Sequence, residues 1–104
     1  MQALEALADP TRRSIFELLG SGGRSVAEIA CDVPISRPAV SQHLKVLKSA
    51  QLVSVRPIGT RRIYSLDPAG LAAIREYFEQ FWSQSLAGFA AAIDADNSGT
   101  KEKQ

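Results

Sequence analysis

The side chains of this chain that could do chemistry are mainly arginine, lysine and glutamine, concentrated in the middle of the sequence. Residues 33–66 contain six arginine or lysine residues and no aspartate or glutamate, which gives this basic segment a charge of +6 with His43 neutral. Residues 1–32 carry −2 and residues 67–104 carry −3, so the net charge of +1 hides the local excess. Guanidinium, ammonium and amide groups donate hydrogen bonds to phosphate oxygens and base edges. The basic segment therefore predicts a surface for double-stranded DNA, with cations Arg37, Lys45, Lys48, Arg56, Arg61 and Arg62.

The sequence contains no comparable set of residues for catalysis or metal binding. The chain has one histidine, His43, and one cysteine, Cys31, without a glycine-rich phosphate loop or a paired-carboxylate motif. One thiolate does not make a soft-metal site, and these two side chains do not amount to an active site. We therefore expect no enzymatic activity, no metal and no cofactor. His43 is interpreted as a half-buried structural imidazole, with DNA contact as the alternative; Cys31 is interpreted as a half-buried small residue, with a thiol sensor as the alternative.

Capping and breaking signals predict the helices that must position the basic segment. Helices are expected over residues 2–7, 10–19, 25–31 and 36–50, separated by a glycine-rich stretch at 20–23 and by Val33-Pro34. Each of the last three begins after a residue whose side chain can accept a hydrogen bond from the first turn. These N-caps are Asp9, which is followed by proline at the first helical position, Ser25, which opens a Ser-x-x-Glu capping box, and Ser36.

The helix over residues 36–50 has two distinct faces. At about 100° per residue, one face is apolar and contains Val40, Leu44, Leu47 and Val46 together with Ala39 and Ala50. The opposite face presents small polar and cationic groups within an arc of about 140°. Its members are Arg37, Pro38, Ser41, Gln42, Lys45 and Lys48.

A hairpin and a long helix complete the predicted fold. Two β-prone runs, Leu52–Arg56 and Arg61–Leu66, are joined by four residues that include Gly59. Asp67-Pro68 repeats the helix-start signal and opens a long helix to about Ile93. We therefore predict a mainly α fold with a two-stranded β-hairpin, in the order α-α-α-α-β-β-α. A helix-turn-helix followed by a basic hairpin wing is a winged helix-turn-helix.

Four stretches of this chain resemble the ArsR/SmtB family of bacterial winged-helix repressors. The resemblance covers residue 3 to about residue 93, and its combination of motifs is specific although each alone is weak. The stretches are Ala6–Arg13 (ALADPTRR), Ser25–Ile29 (SVAEI), Ser36–Lys48 (SRPAVSQHLKVLK) running into Ala50–Val53, and Gly59–Leu66 (GTRRIYSL). The family implies a homodimer that binds an inverted-repeat operator and represses transcription. In this family, a ligand or metal commonly releases the dimer from DNA.

This chain departs from the family's metal sensors. They place a C-x-C pair on the helix that starts here at Ser25, whereas this chain has Ile29 followed by Cys31. Their other common site uses histidine and carboxylates on the C-terminal helix, and this chain has no histidine after His43. We therefore expect a member without a metal site, and a small-molecule or thiol effector stays open.

On the expected interface, helix 36–50 lies in the major groove and hairpin 52–66 lies on the DNA backbone. Residues in the first half of the helix are placed to read base edges. They are Arg37, Pro38, Ala39, Ser41 and Gln42. The residues placed against phosphates are Ser36, Lys45, Lys48, Arg56, Thr60, Arg61 and Arg62. Which of the adjacent Arg61 and Arg62 points at DNA depends on the hairpin register.

The dimer is expected to form through the terminal helices. The apolar stripe of the long helix is broad and aromatic for a chain with so little core to cover, although closing the monomer core is the alternative. The predicted interface residues are Leu4, Leu71, Ile74, Phe78, Phe81, Trp82, Leu86 and Phe89. We further expect one domain over 1–94, a disordered polar tail over 95–104, no membrane association and a cytoplasmic location. A winged helix used as a protein-interaction module is the competing function.

Overall fold

A computed structural model describes the backbone of residues 1–101 and the side chains of residues 1–95. A first compact unit comprises Met1–Ile74, and a second begins at Arg75. No helix in the described part is long and apolar enough to cross a membrane. The elements are α1 (Gln2–Ala6), α2 (Pro10–Leu19), α3 (Val26–Asp32), α4 (Arg37–Ser49), β1 (Val53–Ile58), β2 (Arg61–Leu66) and α5 (Pro68–Lys101). The predicted winged helix-turn-helix order is confirmed.

The three predicted N-caps start their helices as expected. Asp9 Oδ1 accepts a hydrogen bond from the backbone N–H of Arg12 at 3.0 Å, and Pro10 follows at the first helical position. Ser25 and Glu28 form the complete capping box of α3. Ser36 Oγ accepts from the N–H of Ala39 at 3.3 Å at the start of α4. Each cap contributes about 1 kcal/mol to helix stability, which fixes where α4 begins.

The apolar faces of α2, α3 and α4 meet in the core of the first unit. Fully buried side chains come from all three helices and from the start of the hairpin. One helical-face prediction is wrong, because Val46 is exposed. Val46 lies about 120° around α4 from Val40, at the edge of the apolar face where no element covers it fully. The largest fully buried side chains are Ile15, Ile29, Val40, Leu44, Leu47, Leu52 and Val53.

Helix α4 ends in a Schellman motif that the sequence does not signal. The N–H of Leu52 donates to the Leu47 carbonyl at 3.0 Å, and the N–H of Gln51 donates to the Lys48 carbonyl at 2.9 Å. Gln51 adopts a φ of 62°, the left-handed conformation that glycine usually supplies at this position. Leu47 and Leu52 are both fully buried, which gives the motif its usual apolar contact. The motif therefore sets the direction in which the chain leaves α4 for the hairpin.

The hairpin is tighter than predicted. β1 continues to Ile58, which pairs with Arg61, so only Gly59 and Thr60 form the turn. Gly59 has a φ of 64°, which suits a two-residue hairpin turn that needs positive φ at its first position. Pro57 is tolerated within β1 because an edge strand can lack one N–H donor.

Helix α5 begins where Asp67-Pro68 predicts. Asp67 Oδ1 accepts from the N–H of Ala69 at 2.9 Å. Gly70 is required for close packing, since a Cβ there would lie 1.8 Å from the carbonyl oxygen of Gln51. The backbone is helical to Lys101, beyond the predicted end at Ile93. The predicted disordered tail, 95–104, lies largely outside the residues whose side chains are described, and it stays a prediction.

Candidate nucleic-acid interface

Helix α4 presents the predicted polar face to the surface. Its base-reading candidates Arg37, Pro38, Ser41 and Gln42 are exposed, and Ala39 is half-buried. The candidates for phosphate contact on the same helix are Ser36, Lys45 and Lys48, and all three are exposed.

Rigid support underlies this face. The opposite side of α4 is anchored by Val40, Leu44 and Leu47, which are fully buried. Ser36 and the Schellman motif fix the two ends of the helix. The exposed side chains therefore project from a well-supported helix, as insertion into a groove requires.

The wing separates its basic side chains by strand register. Pro57 pairs with Arg62, whereas Arg56 pairs with Ile63 and Ile58 pairs with Arg61. Because directly paired residues share a face and successive pairs alternate, Arg62 lies on the opposite face of the hairpin from Arg56 and Arg61. The wing residues Arg56, Thr60, Arg61 and Arg62 are all exposed, as is Gly59.

Arg61 differs from the other cations of the basic segment. Its Nη2 donates to Glu28 Oε1 at 2.6 Å and to Ser25 Oγ at 3.1 Å. Among the side chains that the structure describes, it is the one member of the six that forms an ion pair. The Ser25 backbone and hydroxyl lower the pKa of Glu28 from its ordinary value, and the Arg61 charge lowers it further. Glu28 is therefore an anion at neutral pH, held between α3 and the wing.

An open groove of about 470 Å³ lies between α1, the first turn of α2 and α4. Two predicted DNA contacts, Gln42 and Lys45, line it together with Val46. Glu5 and Arg12, which sequence reasoning did not select, also line it. Their position beside α4 arises from tertiary packing, so no local pattern signals it.

Most predicted dimer-interface residues are exposed in the single chain. Phe81, Trp82 and Phe89 are 60%, 64% and 63% exposed, and Phe78 and Leu86 are also exposed. Leu4, Leu71 and Ile74 are half-buried. Ile74 packs against the core of the first unit, so part of its apolar surface is already covered.

Two further interpretations concern single residues. His43 is half-buried, in line with a structural imidazole. Cys31 was expected to be half-buried, and this is wrong, because its side chain is exposed on the last turn of α3. Within the described residues, no group of three histidine, cysteine or acidic side chains is placed to hold a metal ion.

The fold agrees with comparisons to known proteins. A sequence model described as a helix-turn-helix domain matches residues 7–56. The HTH-type transcriptional regulator Rv2034 of Mycobacterium tuberculosis is 57% identical over 99 residues, covering 95% of this chain and 92% of that protein. A crystal structure of a "possible transcriptional regulator for arsenical resistance" is 49% identical, covers 79% of this chain and 85% of that one, and has a TM-score of 0.71.

This chain belongs to the ArsR/SmtB family of winged helix-turn-helix transcriptional regulators. An ArsR-family relative, Mb0332 from Mycobacterium bovis, was solved as a homodimeric winged helix-turn-helix DNA-binding domain. It is 30% identical, with a TM-score of 0.65 over 80% of this chain and 77% of that one. The ArsR/SmtB regulator described here is thus a DNA-binding transcriptional regulator.

Proposed function

We propose that this ArsR/SmtB regulator is a homodimeric repressor that binds an inverted-repeat operator without a metal cofactor. The observation that carries the proposal is the exposed face of α4, which is cationic and polar and has no carboxylate. A helix of this kind fits the major groove, and hydrogen bonds there can distinguish all four base pairs. We assign the protein no enzymatic activity and place it in the cytoplasm with the DNA.

Sequence reading is assigned to the first half of α4. Arg37 can donate two hydrogen bonds to guanine O6 and N7, and Gln42 can pair with adenine N6 and N7. Ser41 can donate or accept, while Pro38 and Ala39 offer apolar contact to a thymine methyl group. Each well-formed base contact discriminates by about 1–3 kcal/mol.

Affinity is assigned to contacts with phosphates. Lys45 and Lys48 follow the base-reading residues along α4. On the wing, Arg56 and one or both of the adjacent Arg61 and Arg62 extend the positive charge. Cations that neutralise phosphates release condensed counterions, so binding weakens as salt rises. Ser36 and Thr60 complete this proposed set with short hydrogen-bonding side chains.

Dimerisation is assigned to α1 and α5. Exposed aromatic residues along α5, with Trp82 at the centre, form an apolar face of the kind that marks protein interfaces. The homodimeric Mb0332 domain supports the same assembly here. A two-fold dimer presents two copies of α4, which suits a palindromic operator.

A ligand-responsive repressor is the second candidate within the same family. The groove beside α4 favours it, since about 470 Å³ is within the size of small-molecule sites and Gln42 and Lys45 line it. A ligand there would compete with DNA for these two side chains. A pure protein-interaction module is less favoured, because it leaves the uncompensated basic face without a role.

The test is selection of bound sequences from a random duplex pool, followed by binding to the winning sequence at two salt concentrations. We expect an enriched inverted repeat, and an affinity that falls steeply between the lower and the higher salt concentration. Absence of enrichment, with weak or salt-insensitive binding, would refute the proposal and favour the protein-interaction module.

A further inference from the structure

The wing is attached to α3 by a shared carboxylate. Arg61 Nη2 donates to Glu28 Oε1 at 2.6 Å and to Ser25 Oγ at 3.1 Å. The same Glu28 oxygen accepts the backbone N–H of Ser25 at 2.9 Å, and Ser25 Oγ accepts the backbone N–H of Glu28 at 3.2 Å. The capping box that starts α3 is therefore also the anchor of the wing's second strand.

A backbone connection lies further along the same strand. Arg24 and Tyr64 exchange two hydrogen bonds, at 2.9 and 2.8 Å. Gly23 packs so closely on β2 that a Cβ there would lie 2.7 Å from Ile63 Cγ2. Towards the turn at Gly59-Thr60, Arg61 is the residue whose side chain continues this attachment. At the tip of the wing, the Arg61 side chain thus links β2 to the start of α3.

The helix-turn-helix connects this anchor to the base-reading helix. Ile29 of α3 and Leu44 of α4 are fully buried in one core, so α3 and α4 are packed as a unit. Fixing the wing to α3 therefore fixes the wing relative to the face of α4. Both surfaces must meet the same duplex at once, and pre-organisation lowers the cost of doing so.

We propose that Arg61 is a positioning residue that orients the wing through Glu28, and that Arg62 is the wing cation that binds phosphate at the hairpin tip. The proposal rests on the proposed function, and it answers which of the two adjacent arginines contacts DNA. Strand register places Arg62 on the opposite face of the hairpin from Arg61. If Arg61 left Glu28 to bind a phosphate, it would expose a carboxylate beside a polyanion, which opposes binding.

The experiment measures operator affinity against salt concentration for the full chain and five variants. Arg61→Ala removes the cation and Glu28→Gln removes the negative charge of the pair, and their combination closes a double-mutant cycle. Glutamine at position 28 can still accept the capping hydrogen bond from Ser25, so α3 keeps its start. Arg62→Ala tests the phosphate contact. Glu17→Gln, at an exposed position of α2, removes the same charge without touching the wing.

We expect Arg61→Ala and Glu28→Gln each to weaken binding about two- to fivefold, the range of an exposed ion pair. Their side chains are 55% and 49% exposed, which places the pair in that class. The double variant should bind the operator no more weakly than the weaker-binding single variant. Neither single variant should change the salt slope, which is the slope of log affinity against log salt concentration. Arg62→Ala should reduce the slope by about one. Glu17→Gln should not weaken binding.

The opposite pattern overturns the inference and leaves the proposed function intact. If Arg61 binds phosphate, Arg61→Ala will reduce the salt slope by about one, and Glu28→Gln will bind as tightly as the parent protein or more tightly. Failure of the parent protein to bind any operator would instead reject the proposed function.

Hydrogen exchange in the free protein tests the anchor without DNA. We expect Arg61→Ala and Glu28→Gln to speed exchange of the amides at 61–63 about two- to fivefold, while Arg62→Ala does not. Unchanged exchange in both variants would overturn the positioning role, whatever the DNA result.

Discussion

Replacing Gln51 by glycine should stabilise this protein, although it removes a side chain and touches no core residue. Gln51 has a φ of 62° at the position after the α4 C-cap. A left-handed conformation costs a residue with a Cβ about 1–2 kcal/mol. Glycine avoids this cost but loses about 0.5–1 kcal/mol through the greater freedom of the unfolded chain. We therefore expect a net gain of about 0.5–1 kcal/mol.

The assay is urea and thermal unfolding at equal protein concentration, because dimerisation makes stability depend on concentration. A gain of this size raises Tm by about 2–8 °C for a domain of this length. Gln42→Gly is the matched control: it makes the same chemical change at an exposed position inside α4, where glycine costs about 1 kcal/mol. The two variants should therefore shift stability in opposite directions. If Gln51→Gly destabilises as much as Gln42→Gly, the left-handed cap and the Schellman motif are wrong.

Three further predictions follow from the interface, the base-reading helix and the anchored carboxylate. Trp82→Ala should weaken the dimer about 30-fold or more, measured by sedimentation, as loss of an aromatic hot spot does. Gln84→Ala, at an exposed polar position of the same helix, should leave the dimer intact. A tight dimer in the Trp82 variant would remove that residue from the interface. Arg37→Ala should relax sequence preference at one base pair per half-site, while Lys45→Ala should weaken all sequences alike and reduce the salt slope by about one; unchanged preference in the Arg37 variant would contradict the placement of α4. Because the pKa of Glu28 is lowered from 4.5 in the folded state, its stabilising contribution is complete above that value and is lost as pH falls through the folded value. Stability of the parent protein should therefore fall more steeply below pH 4.5 than that of Glu28→Gln, as measured by urea midpoints. Equal slopes would contradict the lowered pKa of Glu28.

The helix starts were predictable because their causes are local. Asp9, Ser25 and Ser36 each satisfy backbone donors within the next three residues, so the signal and the structure lie in the same short segment. The basic segment was equally visible, since charge is counted directly from the sequence. Together with the two β-prone runs on either side of Gly59, these properties predicted the winged helix-turn-helix and a DNA-binding surface.

Other features escaped prediction because they depend on neighbours distant in sequence. Val46 lies at the margin of the apolar face of α4, where burial depends on whether another element reaches it. Cys31 lies about 160° around α3 from the fully buried Ile29, on the side of the helix that faces away from the core. The hairpin turn is tighter than expected because Pro57 and Ile58 remain in β1, a choice made by pairing with β2. Gln51 in a left-handed cap contradicts its local preference, and the burial of Leu47 and Leu52 outweighs that preference.

The sequence by itself determined the order of elements, the starts of the helices and the location of positive charge, because each depends on nearest neighbours or on composition. Only the tertiary structure decided what each cation faces. Arg61 and Arg62 are adjacent, identical in type and indistinguishable by local pattern. Arg61 meets Glu28, 33 residues away in sequence, because the fold places β2 against the start of α3. Strand alternation sends Arg62 to the other face, and that geometry exists only once the hairpin has paired and docked.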